Sequence, residues 1–155
     1  MVAKKENLKG LTLRSFDFNL VVKKPRLLQK LRELTLYPYS GLNKELDNLQ
    51  NIIKQNKTVR AHVLTAFIND DLVGWALLSR ETSQYFFPRG ISFKEGDGAL
   101  FEIYIDPKYR RLGIGTQLIR LARRKTSGDR LCIAPWDFTS YSFYDNFLNY
   151  NHKIL

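Results

Sequence analysis

The residues with the clearest chemical potential in this chain are Arg110, Arg111, Gly113 and Gly115. They lie between an apolar alternating run, Leu100 to Ile105, and an amphipathic run that continues to Lys125. Asp106-Pro107 punctuates the junction. The order reads as strand, turn, two-glycine loop and helix start, the arrangement that seats a pyrophosphate. Glycine lacks a Cβ, so the backbone at Gly113 and Gly115 can curl around an anion and bring successive N–H groups to its oxygens. The first turn of the following helix adds unpaired N–H donors and the positive end of its macrodipole. Arg110 and Arg111 add fixed positive charge, so a diphosphate ligand is the expectation.

Two better-known phosphate loops do not fit. The third glycine and the following acid of a dinucleotide fingerprint are missing, and no Gly-Lys-Ser/Thr follows as in a P-loop. The segment instead resembles motif A of the GNAT acetyltransferase superfamily, [Gln/Arg]-x-x-Gly-x-[Gly/Ala], met by Arg110, Gly113 and Gly115 after a strand ending in Ile105-Asp106-Pro107. The resemblance implies acetyl-CoA as cosubstrate. Its pyrophosphate would lie on the loop amides of Arg110, Arg111, Leu112, Gly113, Ile114, Gly115 and Thr116. Its pantetheine arm would pair with Ile103, Tyr104 and Ile105. The implied reaction is N-acyl transfer by direct attack of an amine on the thioester. A weaker match is Ser142-Phe143-Tyr144-Asp145-Asn146, similar to the Phe-Tyr pair on the last helix of many GNAT enzymes, where the tyrosine protonates the departing thiolate. Tyr144 matches that tyrosine, and Asp137 falls where family members carry Asn. Two departures stand out. Leu148-Asn149-Tyr150 replaces the usual Gly-Phe, and the sequence stops before a full closing hairpin, which leaves a partner subunit of a homodimer to complete the sheet.

The chemistry asks little of the protein. An alkyl amine with a pKa of about 10.4 is mostly protonated at neutral pH and must lose a proton before it attacks. Glu102 is the first candidate base, because it alternates with Tyr104 on one face of the strand; a solvated or salt-bridged glutamate is the equal alternative. Glu81 and Asp137 are weaker options. A phenol with a pKa of about 10 is matched to a departing thiolate, so Tyr144 suits a general acid. Tyr141, Phe143 and Phe147 make the same segment aromatic-rich, and a core position for Tyr144 is the alternative.

These groups must be positioned by regular elements. Leu11 to Phe18 alternates as a first strand, with a break at Ser15 that reads as a register shift. Pro25 suits a helix start, and Leu27, Leu28, Leu31 and Leu34 give that helix an apolar face ending before Pro38. Leu42, Leu46, Leu49 and Ile53 mark a second helix. Val59 to Ile68 and Leu72 to Arg80 read as a hairpin joined by Asn69-Asp70-Asp71. Residues 81–98 form an unusually long, aromatic connection, of the kind that is functional or folded over the core. A strand over Leu131 to Trp136, a helix over Thr139 to Leu148 and a strand stub over Tyr150 to Leu155 complete the order. The fold class is α/β: one domain over residues 1–155, with a mixed, twisted sheet of about six strands flanked by about four helices, the C-terminal strand short.

At 155 residues the chain can bury one core, and 44% hydrophobic with 26% charged residues is ordinary for a soluble protein. A single cysteine, no visible secretory signal and apolar runs too short to span a bilayer give cytoplasm as the expected location, with no membrane partner. His62, His152 and Cys132 are too scattered for a metal site. The net charge of +10 draws anions without choosing among them. The acceptor amine therefore stays open between a small molecule, a protein and aminoacyl-tRNA. A second functional class also stays open: a non-catalytic protein of the same fold whose basic surface engages nucleic acid or an acidic protein.

Overall fold

The run Leu72 to Leu78 contains no polar side chain, and a strand of that composition is stable only when both of its faces are covered. The computed structural model, which describes residues 8–35, 41–80, 97–100, 103–126 and 130–133, places it at the centre of the sheet. In chain order the elements are β1 (Leu11–Asp17), α1 (Phe18–Val21), α2 (Pro25–Glu33), α3 (Gly41–Lys54), β2 (Ala61–Ile68) and β3 (Asp71–Ser79). These are followed by β4 (Gly98–Leu100), β5 (Tyr104–Ile105), a 3-10 turn (Pro107–Tyr109), α4 (Ile114–Lys125) and β6 (Leu131–Ile133). Strands β1 to β4 are antiparallel neighbours in sequence order, β6 lies parallel to β4, and β5 pairs with β3. The sheet is thus mixed, as expected.

Two apolar layers enclose it. Leu64, Ala66, Ala76 and Leu78 meet Ile114, Leu118, Ile119 and Ala122 of α4 on one face. Val63, Trp75 and Leu77 meet Phe18, Leu31, Leu46 and Leu49 of α1 to α3 on the other. The alternation Trp75, Ala76, Leu77, Leu78 between the two layers is the period-2 pattern of a doubly covered strand. Trp75 is fully buried and its Nε1 donates to the Leu34 carbonyl at 3.0 Å, which ties the sheet to the end of α2.

The hairpin turns through Asn69 (φ 48°) and Asp70 (φ 70°), left-handed positions that Asn and Asp tolerate. Three expectations need correction. The β1–β2 ladder runs without a shift from Leu11↔Ile68 to Asp17↔His62. Leu11 and Leu13 pack towards α4 while Phe16 packs towards the other layer, so the break at Ser15 reflects two covered faces and not a slip. Ser15 Oγ is buried without a hydrogen-bond partner among the described residues. The register shift falls instead between Ala66 and Phe67, opposite Val73. Phe18 begins a helical turn, because Asp17 accepts from the Asn19 amide at 2.8 Å and caps α1. The fourth strand, expected as one piece, is divided: Leu100 pairs with Leu78 and Tyr104 with Trp75. The expected connection over 81–96, the final helix and the closing strand lie outside the described residues.

His62 sits at the start of β2, opposite Asp17. Burial, then the positive charge of Lys125, hold its pKa below the usual 6.5, against Asp17, which pulls it up; Arg80 adds to the lowering. The unfolded chain therefore takes up this proton first as pH falls. Stability is unaffected by His62 above the unfolded pKa and declines as pH drops from about 6.5 towards the lower folded value. Urea midpoints measured from about pH 8 to about pH 5 should fall less in His62→Gln than in the parent, and parallel curves would refute the assignment.

Candidate functional site

The site is built where β5 gives way to α4. Asp106 Oδ1 accepts from the Lys108 amide at 3.0 Å and Pro107 supplies a fixed φ, so the chain leaves the sheet through a 3-10 turn. Arg111 (φ 64°) and Gly113 (φ 86°) are left-handed, with Leu112 between them. Helix α4 then starts with Gly113 as its N-cap, and the Gly113 carbonyl accepts from the Gln117 amide at 3.1 Å. From Arg111 through Thr116 no backbone amide donates to a carbonyl among the described residues. Alternating signs of φ turn successive amides towards one concavity, a nest suited to an anion. The helix behind it is anchored by the buried side chains of Ile114, Leu118, Ile119 and Ala122, so the donors are held by the core.

Arg110 has a positional role beside the fixed charge expected of it. Its Nε donates to the Ile105 carbonyl at 2.9 Å and its guanidinium lies 5.4 Å from the centre of the Tyr104 ring. It clamps the loop back onto β5 by a hydrogen bond and a cation–π contact. Arg111 is exposed and contributes charge at the mouth of the nest.

The edge of β5 is the second component. Asp106 donates to Val73 at 2.8 Å, and the antiparallel alternation then directs the Ile105 amide and carbonyl away from β3. Among the described residues no strand pairs with that edge, whereas β4 is held by β6 over Gly98–Leu100 and Leu131–Ile133. Ile103 and Ile105 pack towards α4, Tyr104 towards the opposite layer. Gly74 makes the approach possible: a Cβ there would stand 2.6 Å from Ile105 Cδ1 and 3.1 Å from the Tyr104 carbonyl. Sequence reading passed over Gly74, although a glycine inside an otherwise bulky strand signals such close contact.

The structure therefore gathers Ile103, Tyr104, Ile105, Arg110, Arg111, Leu112, Gly113, Ile114, Gly115 and Thr116 into one continuous strand, loop and helix start. Glu102 and Tyr144, the expected base and acid, lie outside the described residues, as do Glu81 and Asp137. Beside the 3-10 turn an open cleft of about 390 Å³ is lined by Lys30, Glu33, Asp71, Asp106 and Lys108 among others. Among the described residues no group of three or more His, Cys, Asp or Glu side chains is placed to hold a metal ion. No described helix is long and apolar enough to cross a membrane.

Comparison with known proteins agrees with this geometry. The profile of the acetyltransferase (GNAT) family matches residues 26–150. The chain belongs to that family. It is accordingly an acetyltransferase that uses acetyl-CoA as cosubstrate. Among solved structures it is similar to an aminoglycoside N-acetyltransferase, AAC(6')-Iy, in complex with CoA: 17% identity over 88% of this chain and 89% of that one, TM-score 0.58. A putative GNAT acetyltransferase from Desulfovibrio desulfuricans gives 16% identity, 88% and 83% coverage and a TM-score of 0.61. An acetyltransferase from Trypanosoma brucei gives 22%, 88% and 89%, and 0.51. At these identities the likeness is one of fold. Curated protein sequences gave no match.

The nest conformation can be tested without a ligand. Gly113 adopts φ 86° with nothing within 4 Å of a Cβ built there. Gly113→Ala should therefore lose about 1 kcal/mol of stability through backbone strain alone, and Gly113→Asn, which tolerates this region better, should lose less. Denaturant unfolding of the three proteins checks the order. Equal stabilities would remove the left-handed conformation from the account.

Proposed function

We propose that this protein N-acetylates a small-molecule amine. The observation that carries the reading is the nest of amides from Arg111 to Thr116 beside an edge of β5 that no described strand pairs. The nest offers donors and a helix dipole to a pyrophosphate, and the edge offers the Ile105 amide, beside a carbonyl that also accepts from Arg110, to an extended amide-containing arm. The small-molecule acceptor is supported by the solved relatives that bind aminoglycosides, one of them with a bisubstrate analogue joining CoA to an acetylneamine.

In this reading the neutral amine nitrogen attacks the thioester carbonyl carbon, the tetrahedral adduct collapses, and the carbon–sulfur bond breaks. The proton lost by the nitrogen goes to Glu102 or to water. The thiolate receives one from the Tyr144 hydroxyl. No covalent bond to the enzyme forms, so the protein's contribution is orientation and proton transfer.

Gly115→Asp places a carboxylate in the first turn of α4, where it competes with the pyrophosphate for the same amides and repels its charge. Affinity for acetyl-CoA, measured by calorimetry on protein shown to be folded by circular dichroism, should fall at least about tenfold. Parent-like affinity would place the coenzyme elsewhere. Tyr144→Phe removes one hydroxyl at nearly constant volume, so turnover should fall by about tenfold or more while acetyl-CoA affinity stays within about twofold. Unchanged turnover, with chemistry rate-limiting, would remove Tyr144 from the mechanism. Thiol release measured with aminoglycosides, polyamines, peptides and aminoacyl-tRNA as acceptors decides the acceptor class, and activity confined to the last two would overturn the small-molecule reading.

A further inference from the structure

The excess positive charge is not spread evenly over the fold. The pairings Asp17↔His62, Ala61↔Ser79, Ser79↔Ala99 and Gly98↔Leu131 place the end of β1, the start of β2, the end of β3 and the starts of β4 and β6 in one row. Helix α4 also ends there, because the Arg80 guanidinium donates to the Lys125 carbonyl at 2.8 Å. Helix α1 joins the same end through Asn19, whose side chain bonds both the carbonyl and the amide of Val59. The nest lies at the opposite end, with the hairpin turn.

Exposed cations converge on this row from three directions. Lys23, Lys24 and Arg26 lie at the entry to α2. Lys54 and Lys57 lie where α3 leads into β2. Arg124 and Lys125 lie in the last turn of α4. Behind them Arg60, Arg80 and Arg130 engage carbonyls or Asp97 and add their field. The acids described at this end are Asp17, which caps α1, and the buried Asp97, which takes both prongs of Arg130 at 3.2 and 2.5 Å. Glu33, Asp70, Asp71 and Asp106 are all at the other end.

Lys24 Nζ lies 5.5 Å from the centre of the Phe16 ring, but the helix dipole does not explain the first group. Lys24 is the N-cap of α2 and Arg26 is in its first turn, where no acidic residue stands and the macrodipole disfavours cations. Among the described residues this end carries no apolar centre of a protein interface and no lipid-inserting face: Leu20, 56% exposed, is the one large apolar side chain left open among them. A described surface that is cationic and almost without apolar area fits a partner bound by charge.

We propose that the end of the sheet opposite the nest docks the phosphodiester backbone of a nucleic acid, with Lys23, Lys24, Arg26, Lys54 and Lys57 as its principal contacts. This goes beyond acetyl transfer and does not rest on it, since the docking is read from binding alone. Phosphate contacts of this kind release counterions and do not read sequence.

Fluorescence anisotropy with a labelled single-stranded RNA, the same sequence as single-stranded DNA, and each as a duplex measures it. Binding should weaken linearly in log Kd against log salt, with a slope of about 0.7 per contacted phosphate for the single strands. The triple variant Lys23→Glu, Lys24→Glu, Arg26→Glu should bind at least about tenfold more weakly with a smaller slope, and keep its acetyl-CoA affinity. The pair Lys54→Glu, Lys57→Glu, on a separate segment, gives the same test if the triple variant does not fold. An equal charge change at the other end, Lys9→Glu, Lys30→Glu, Lys108→Glu, should cost less than about twofold. A preference among the RNA and DNA arms names the natural ligand. Equal losses from both ends, no binding at about physiological salt, or tighter binding to phosphatidylserine vesicles or polyglutamate than to any nucleic acid would each overturn the proposal.

Discussion

Between Leu100 and Tyr104 the chain uses three residues, 101–103, to pass two residues of β3, Ala76 and Leu77. The faces confirm the mismatch: Leu100 and Ile103 both pack towards α4, although three positions apart they would point to opposite faces of an uninterrupted strand. One surplus residue of this kind bends an edge strand and increases its twist. Its consequence is a division of labour. Strand β4, before the step, is held on both sides by β3 and β6, while β5, after it, is held by β3 and leaves its other edge without a strand partner among the described residues. The chain emerging from β5 is thereby directed towards the start of α4.

The rest of the fold supports the step by making both neighbours rigid. The parallel pair β4–β6 is fastened at its start by the Asp97–Arg130 fork and by the Gly98 amide donating to the Arg130 carbonyl at 2.8 Å. With Arg130 half exposed, the ion pair contributes modestly to stability. Its larger effect is to fix where the two strands begin. On the other side, Gly74 lets β5 come within contact distance of β3, and Arg110 draws the loop back onto Ile105 and Tyr104. The left-handed conformation of Arg111 costs on the order of 1 kcal/mol. That such a residue persists beside Gly113 is intelligible if the curl of amides is what the segment is for.

Much of this was legible before any coordinates. Pro25 at the first position of α2, the Asn69-Asp70 turn and the apolar run Leu72 to Leu78 each carry a local signal that tertiary packing reinforces. The curl of the loop at Gly113 was legible because glycine spacing reports backbone shape directly. What escaped reading has a common cause. Alternation along β1 was taken as one-sided, so apolar residues on both faces looked like a shift at Ser15. The step in the fourth strand is a relation between two strands and leaves no mark in either alone. The clamp made by Arg110 escaped because a sequence gives no sign of which carbonyl a guanidinium will find.

The two ends of α4 bring the electrostatics together. At its start, unpaired amides and the positive pole of the helix face the nest. At its end, Arg123, Arg124 and Lys125 stand where the negative pole favours cations by about 0.3–1 kcal/mol each, and the Arg80 guanidinium covers the Lys125 carbonyl. Part of the basic end thus has a structural cause. Helix α2 points the other way, from the basic end towards the hairpin, so the same rule that accounts for Arg124 and Lys125 counts against Lys24 and Arg26. The dipole of α2 thus leaves Arg26 without a structural cause, and Lys24 has one only in its contact with the Phe16 ring at 5.5 Å. That conflict is the difference between the two basic clusters: the one at the end of α4 completes a fold, whereas the one at the start of α2 opposes its own helix.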